Sequence, residues 1–344
     1  FWLKPQQAPV DRRVSPLPAL ALPARAAAAG ASSPLEAMNW PGLLAWSTNY
    51  HDGTAPSKFK VMTDEDRKFL EKAMEEAFGK IEDPNKVFQE ALDQVRSPDR
   101  TGESMTTALE VIDRLCDDPD VARNVEKLNG TQPLLDLVTA PDASGPVRVR
   151  TLEILALLFS NNPHIQKVGV ERGALPLLLS QVRSSAKGSE DRLKAFRTLV
   201  ALIRQVTEYE DEFIRNNNGV ALIVDCMNEE EDPRTREKAA SFVRHLACTQ
   251  RLLVDDCGPL VAALVALLPS AATQNVQYRE TLSGAAAELA RAFPGPCAPL
   301  ASAAQARLAE ARRVADTEDV EQEVGSLLEC LEALAGGSSA SPAA

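Results

Sequence analysis

The stretch from Pro146 to Val182 limits the possible folds more than any other part of the chain. It reads PVRVRTLEILALLFSNNPHIQKVGVERGALPLLLSQV. Val149, Leu152, Ala156 and Phe159 recur at i, i+3, i+7 and i+10, the spacing of one face of an α-helix. Asn161-Asn162-Pro163 stops that helix, because proline cannot continue it and asparagine tolerates the turn. A short helix over Ile165–Val170 is expected next. Gly173 then breaks the chain before a third apolar run, Leu175–Val182, with Pro176 in its first turn, where a missing N–H costs nothing. None of these short helices can bury an apolar face alone, so the unit requires copies of itself on either side.

The copies are present. Asn129-Gly130, Arg172-Gly173, Asn218-Gly219 and Cys257-Gly258 each stand before an apolar run, at successive intervals of 43, 46 and 39 residues. Upstream of each glycine the periodicity predicts a longer helix, over 103–116, 146–160, 190–206 and 233–248. A period of about 40–47 built of helices alone is the armadillo/HEAT signature. The expected fold is therefore all-α, an armadillo-like helical-repeat solenoid with helical caps. Its repeats are expected over 100–293.

The flanking segments read as follows. Residues 1–37 are rich in proline and alanine and carry only two acids, Asp11 and Glu36. They read as a leader without fixed structure, although Arg12-Arg13 before an Ala/Leu/Pro run leaves a targeting peptide open. Met38 opens a segment that reads like a start. In it Leu43, Leu44 and Trp46 form a small apolar patch, and a polar linker follows to residue 62. Thr63 begins a helix as N-cap, with Asp66 completing a capping box. Phe69, Leu70, Ala73, Met74, Ala77 and Phe78 fall on one face of that helix, and Gly79 ends it. A second helix is expected over 84–95, and the 63–99 pair is read as the amino-terminal cap of the stack. After Pro294-Gly295-Pro296, helices over 298–314 and 318–335 are read as a carboxy-terminal cap spanning 294–335. Residues 336–344 read as a disordered Gly/Ser/Ala tail.

Charge and motif content narrow the function. The 344-residue chain carries a net charge of −12, so it lacks the positive field that nucleic acid or an anionic membrane would require. No run of 18 apolar residues offers a membrane span. The six cysteines are scattered singly on apolar faces, which reads as buried free thiols in a reducing compartment. His51, His164 and His245 share no metal-ligand spacing. No phosphate-binding, dinucleotide-binding, nucleophile-elbow or zinc-protease motif occurs. The expectation is a binding protein, not an enzyme, with neither metal nor cofactor. Stacked repeats generate an extended concave surface suited to that task.

Basic residues gather where the long helices begin: Arg148 and Arg150, Arg192 and Lys194, then Arg234, Arg236 and Lys238. Two readings stay open. These cations pair with nearby acids inside the stack, or they form a strip that reads an acidic partner surface.

A resemblance bears on the choice. Asn39-Trp40-x-Gly42-Leu-Leu-x-Trp46-Ser47, Asp52-Gly53-Thr54, Asp64-Glu65-Asp66-Arg67 and Glu71-x-Ala73-Met74 resemble the amino-terminal module of the cytosolic Fes-one-type nucleotide exchange factors, which include the heat-shock-chaperone-binding proteins of animals. It continues in Leu115-Cys116-Asp-x-x-Asp120-x-Ala122, in Val147-Arg148-x-Arg150 leading to Ser160-Asn161-Asn162, and in Arg192-x-Lys194-Ala195-Phe196 followed by Leu202-Ile203-Arg204. It covers about 38–335. The first module is the specific part, since many armadillo proteins share the repeat motifs.

The resemblance implies a factor whose concave face embraces one lobe of the ATPase domain of a seventy-kilodalton heat-shock (DnaK-like) chaperone. It would favour an opened nucleotide cleft, so that ADP leaves, ATP enters and client is released. Matched positions name the partner-binding residues: Asp120 and Ala122, in a turn where a partner backbone could approach, and Lys238, which aligns with a basic contact residue. Arg150, Asn161, Asn162, Lys194 and Arg204 follow as weaker assignments, because repeat packing would also explain them. Leu43, Leu44 and Trp46 would help clear client polypeptide. The implied location is the cytosol, with the nucleus and organellar targeting through 1–37 left open. The chain departs from the family in its leader and in the alanine-rich Leu260–Leu268 and 298–314 segments. The alternative is a general armadillo adaptor. A transport receptor of that fold would carry a Trp/Asn ladder in its repeats, whereas Trp2, Trp40 and Trp46 all precede them.

Overall fold

The computed structural model describes residues 63–78, 83–271, 274–314 and 319–338. Leu43, Leu44 and Trp46, and the segments 1–37, 38–62 and 339–344, lie outside the described residues. The chain divides into two units, Phe1–Gly79 and Lys80–Ala344, so the expected 63–99 cap falls across the division. In the first unit, α1 (Asp64–Phe78) starts from the predicted capping box. The Thr63 hydroxyl accepts from the Asp66 amide, and the Asp66 carboxylate accepts from the Thr63 amide, both at 3.2 Å. Phe69, Leu70 and Met74 on its apolar face are exposed.

The second unit is the repeat stack. Among its described residues there is no strand. It runs α2 (Pro84–Arg96), α3 (Gly102–Cys116), α4 (Pro119–Asn124), α5 (Thr131–Thr139), α6 (Gly145–Phe159), α7 (Pro163–Glu171), α8 (Ala174–Ser184), α9 (Glu190–Ile203), α10 (Thr207–Asn216), α11 (Gly219–Cys226), α12 (Pro233–Cys248), α13 (Val254–Ser270), α14 (Val276–Ala292), α15 (Leu300–Val314) and α16 (Glu321–Ser338). The long helices α3, α6, α9, α12, α14 and α16 pack side by side as one layer. Helices α2, α5, α8, α11, α13 and α15 back that layer, and the short α4, α7 and α10 link the two.

Local chemistry sets the helix ends. Asp83, Thr101, Asp118, Asn162, Ser189, Asp232 and Asn275 cap helices through their side chains, satisfying amides that would otherwise be orphaned. Pro84, Pro119, Pro163 and Pro233 occupy first turns. Two of the repeated glycines have distinct uses. Gly173 holds φ +82°, a left-handed conformation that a side chain disfavours. Gly219 lets α11 close on α10, since a Cβ there would stand 2.6 Å from the Phe213 ring and carbonyl.

Four sequence expectations change. Gly258 breaks nothing: α13 starts at Val254 and runs through Gly258 and Pro259. The Leu253 amide donates to Asp256 at 2.7 Å, so this repeat passes from long helix to backing helix without a short one between. The helix predicted over 190–206 ends at Ile203, because Gln205 turns to φ +71° and its amide donates to Glu210. The last helix continues to Ser338, so residues 336–338, expected in the tail, are helical. Finally, α6 is buried on more than the predicted stripe. Ile154, Leu155 and Leu158 join Leu152 and Phe159 in the core, whereas Val149 and Ala156 are half-buried. An inner helix packed by α3, α5 and α9 cannot keep a single dry side.

Polar ties join successive repeats. Arg100 grips Asp142 with two hydrogen bonds at 2.7 and 2.9 Å. Arg192, itself buried, reaches Asp225 at 2.5 Å and the Val182 carbonyl at 2.6 Å. Gln166 caps the end of α9 by donating to the carbonyls of Ala201 and Arg204 at 2.8 and 3.0 Å. At the carboxy-terminal end, the buried Arg307 donates to both oxygens of buried Glu323 at 2.6 and 3.1 Å, with the Arg279 guanidinium 3.5 Å away. Removing one member of such a cluster strands the others in a poorly solvated site. Glu323→Ala should therefore lower the unfolding free energy by about 3–5 kcal/mol in a urea titration. Arg291→Ala, which breaks the exposed pair with Glu329, should cost under about 1 kcal/mol.

Candidate functional site

The long-helix layer carries two depressions. One depression of about 380 Å³ takes its lining from four successive long helices: Asp113 of α3, Arg150, Glu153, Ala156 and Leu157 of α6, Lys194, Arg197 and Ala201 of α9, and Lys238 of α12. A second, of about 580 Å³, is lined by Cys116, Asp117, Ala122, Leu157, Leu158, Ser160, Asn161, Asn162, Pro163 and His164. Leu157 and Ser160 line both, so the two form one continuous surface. Leu157 is 39% exposed there, an apolar side chain among charges.

This surface gathers residues that are far apart in sequence. Ala122, Asn161 and Asn162 meet in the second depression, and Arg150, Lys194 and Lys238 in the first. Arg204 caps the end of α9 and lies near enough to act on the charge of Lys238. Asp120 lines neither depression; it sits in the first turn of α4, where its amide donates to Asp118 at 2.8 Å. Asn161 and Asn162 also serve the backbone. Asn161 takes φ +54°, and Asn162 caps α7 by accepting from the Ile165 amide at 3.4 Å.

Pairing inside the stack accounts for most of these basic residues. Arg150 pairs with Asp113 at 2.9 Å and Glu153 at 3.2 Å, and Lys194 with Glu153 and, at 3.9 Å, Glu190. Burial pushes the Glu153 carboxyl upward, but hydrogen bonds from Lys194 and Arg150 outweigh this and hold it below the usual range. Arg148 donates to the carbonyls of Val138 and Ala143, Arg234 pairs with its own cap Asp232 at 3.1 Å, and Arg236 lies 5.6 Å over the Tyr278 ring. These groups are structural. Lys238 is different: among the described residues its ammonium makes neither an ion pair nor a hydrogen bond. Burial, then Arg204 and Arg197, depress its ammonium below the ordinary value near 10.5.

Sequence reasoning missed Arg197, Leu157 and Ser160. Arg197 lies one turn beyond Lys194 on the same face of α9, and that i, i+3 spacing was the available signal.

Other chemistry is sparse. Five cysteines are buried and Cys248 is exposed; burial pushes the Cys116 and Cys226 thiols up to about 12, far from the thiolate form a nucleophile needs. Among the described residues no cluster of His, Cys, Asp and Glu could hold a metal, and no helix is long and apolar enough to cross a membrane.

No family model matches the chain, and no curated protein matches its sequence. Solved structures do. The designed armadillo repeat protein YIII(Dq)4CqI is 17% identical, with a TM-score of 0.57, over 72% of this chain and 99% of that one. A second design, YIII(Dq.V1)4CPAF in complex with the peptide (KR)4, is 18% identical, with a TM-score of 0.57, over 72% and 99%. A structure of the UNC-45 chaperone is 16% identical, with a TM-score of 0.55, over 80% of this chain and 31% of that one. The chain thus has an armadillo-repeat fold.

Lys238 gives a test of the site's electrostatics. Its folded pKa is depressed, so the fold disfavours the charged form. That penalty is fully present below the lowered value and is relieved as pH rises from there to 10.5. Lys238→Met should raise the urea midpoint at neutral pH, and the advantage should narrow on the way to pH 10.5. A variant less stable than the parent at neutral pH would mean that Lys238 is held by a favourable partner.

Proposed function

We propose that the chain is a protein-interaction scaffold, and specifically a nucleotide exchange factor that binds the ATPase domain of a DnaK-type heat-shock chaperone. One observation carries the reading. Six residues named by the resemblance, spread from Ala122 to Lys238, line one continuous surface. Arg150, Asn161, Asn162 and Lys194 have structural duties as well, so Ala122 and Lys238 carry the most weight.

The mechanism is differential affinity. The long-helix face would fit the chaperone lobe best when the nucleotide cleft is open. A factor that binds the nucleotide-free state more tightly shifts the chaperone toward that state. Linkage then requires ADP to weaken factor binding by the same ratio. The chain's own residues do no chemistry on the nucleotide. Uncompensated cations at Arg197, Arg204 and Lys238 would attract an acidic patch on the chaperone, and Leu157 would add apolar contact. Client polypeptide would be displaced by the segment holding Leu43, Leu44 and Trp46.

A second reading is a general armadillo adaptor for peptides. The designed armadillo repeat protein in complex with peptide (KR)4 makes a peptide a reasonable ligand for this fold. Here the charge would select the opposite peptide, since Arg197, Arg204 and Lys238 would repel a basic one.

Release of fluorescent ADP from a cytosolic DnaK-type chaperone tests the first reading. The parent should accelerate release, and the folded Ala122→Arg/Lys238→Glu double variant should lose most of the acceleration, since an introduced bulky charge and a charge reversal both oppose docking. Acceleration by both proteins would keep the activity and move the surface elsewhere. Failure of the parent, with a chaperone that responds to another factor, would leave the adaptor reading.

A further inference from the structure

The cations of the long-helix face fall into two groups. Arg150 and Lys194 are matched by Asp113 and Glu153. Arg197, Arg204 and Lys238 are not; among the described residues none of the three makes an ion pair, and the Nε of Arg204 is buried without a hydrogen-bond partner. The remaining acid nearby is Glu237, half-buried beside Lys238 and facing Arg197, with its own carboxyl pushed up by burial. The local balance is positive in a chain whose total is −12. Leaving three cations together, one of them largely desolvated, costs stability. Groups disfavoured in this way gather at functional sites.

We propose that Arg197 and Lys238, which line one depression, with Arg204 adding its charge from outside that lining, form a binding site for a doubly charged oxyanion, a phosphate group, free or carried on a side chain of a partner protein. A single carboxylate would leave most of the positive charge unanswered. A phosphate carries about −1.5 to −2 at neutral pH and offers three strong acceptor oxygens. Guanidinium groups bind such oxygens in pairs, and a lysine adds a compact point charge. The depression of about 380 Å³ bordered by Arg197 and Lys238 has room for the group. The site does not depend on which protein the scaffold serves.

Calorimetric titration of inorganic phosphate into the full chain, at ionic strength held constant with chloride, tests this directly. One saturable site is expected. Lys238→Met should weaken it about tenfold or more, the size of a lost charge-assisted contact. Lys86→Met, at an exposed lysine of α2 that lines neither depression and pairs with Glu90, should change it by about twofold or less. In lysine-labelled NMR, the Lys238 ammonium should titrate higher in phosphate than in chloride. A glycine-flanked phosphoserine peptide separates the sources: tighter binding than inorganic phosphate assigns the site to a partner side chain, and equal or weaker binding assigns it to the free anion. Absence of saturable binding above chloride would overturn the proposal. So would equal losses in Lys86→Met and Lys238→Met, the mark of diffuse attraction without a site.

Discussion

Helices as short as those in this stack cannot stand in water on their own. Helices α5 and α7 have nine residues and α11 has eight, whereas isolated helices below about 12–15 residues are marginal. Each persists because its apolar side lies against a neighbour, and each neighbour depends in turn on the next repeat. Leu134, Leu178 and Ile223 are all fully buried although their helices are brief. Stability in such a stack is a sum of repeat and interface terms. Every other feature, including the long-helix surface, follows from the requirement that each repeat find its neighbour in register.

Polar contacts set that register. Arg100, Gln166 and Arg192 each reach across from one repeat to the next, to Asp142, the end of α9, and Asp225. Hydrophobic burial is indifferent to small slides, but a guanidinium gripping a carboxylate is directional. Carboxylates likewise answer Arg150, Arg172 and Arg215. On the long-helix face this matching fails at Arg197, Arg204 and Lys238. A structural cation and a binding cation look alike on a helical wheel; the presence or absence of a carboxylate opposite separates them.

The recurring glycines show how far local sequence reaches. Gly173 and Gly258 occupy the same place in the pattern, yet one takes a left-handed turn and the other lies inside a helix. Glycine permits a break without compelling one. Before Gly258, Asp256 offers its carboxylate to the Leu253 amide, and the helix starts there instead. Similarly, the periodicity of α6 marked one apolar face, but Ile154 and Leu155 are buried as well because α5 and α9 flank it. Lys194 and Lys238 held equivalent positions in the sequence argument. Glu153, 41 residues before Lys194, neutralises the first and has no counterpart for the second.

The sequence by itself determined the repeat period, the all-helical class, most helix boundaries and the capping box at Thr63. Those depend on neighbours within a few positions, where apolar spacing, proline, glycine and capping side chains act directly. The tertiary structure alone decided which cations are spent on packing, that Leu157 and Ser160 join two depressions into one surface, and that Arg197 belongs beside Lys238. These depend on contacts between residues some 40 positions apart, and such contacts exist only once the helices have stacked.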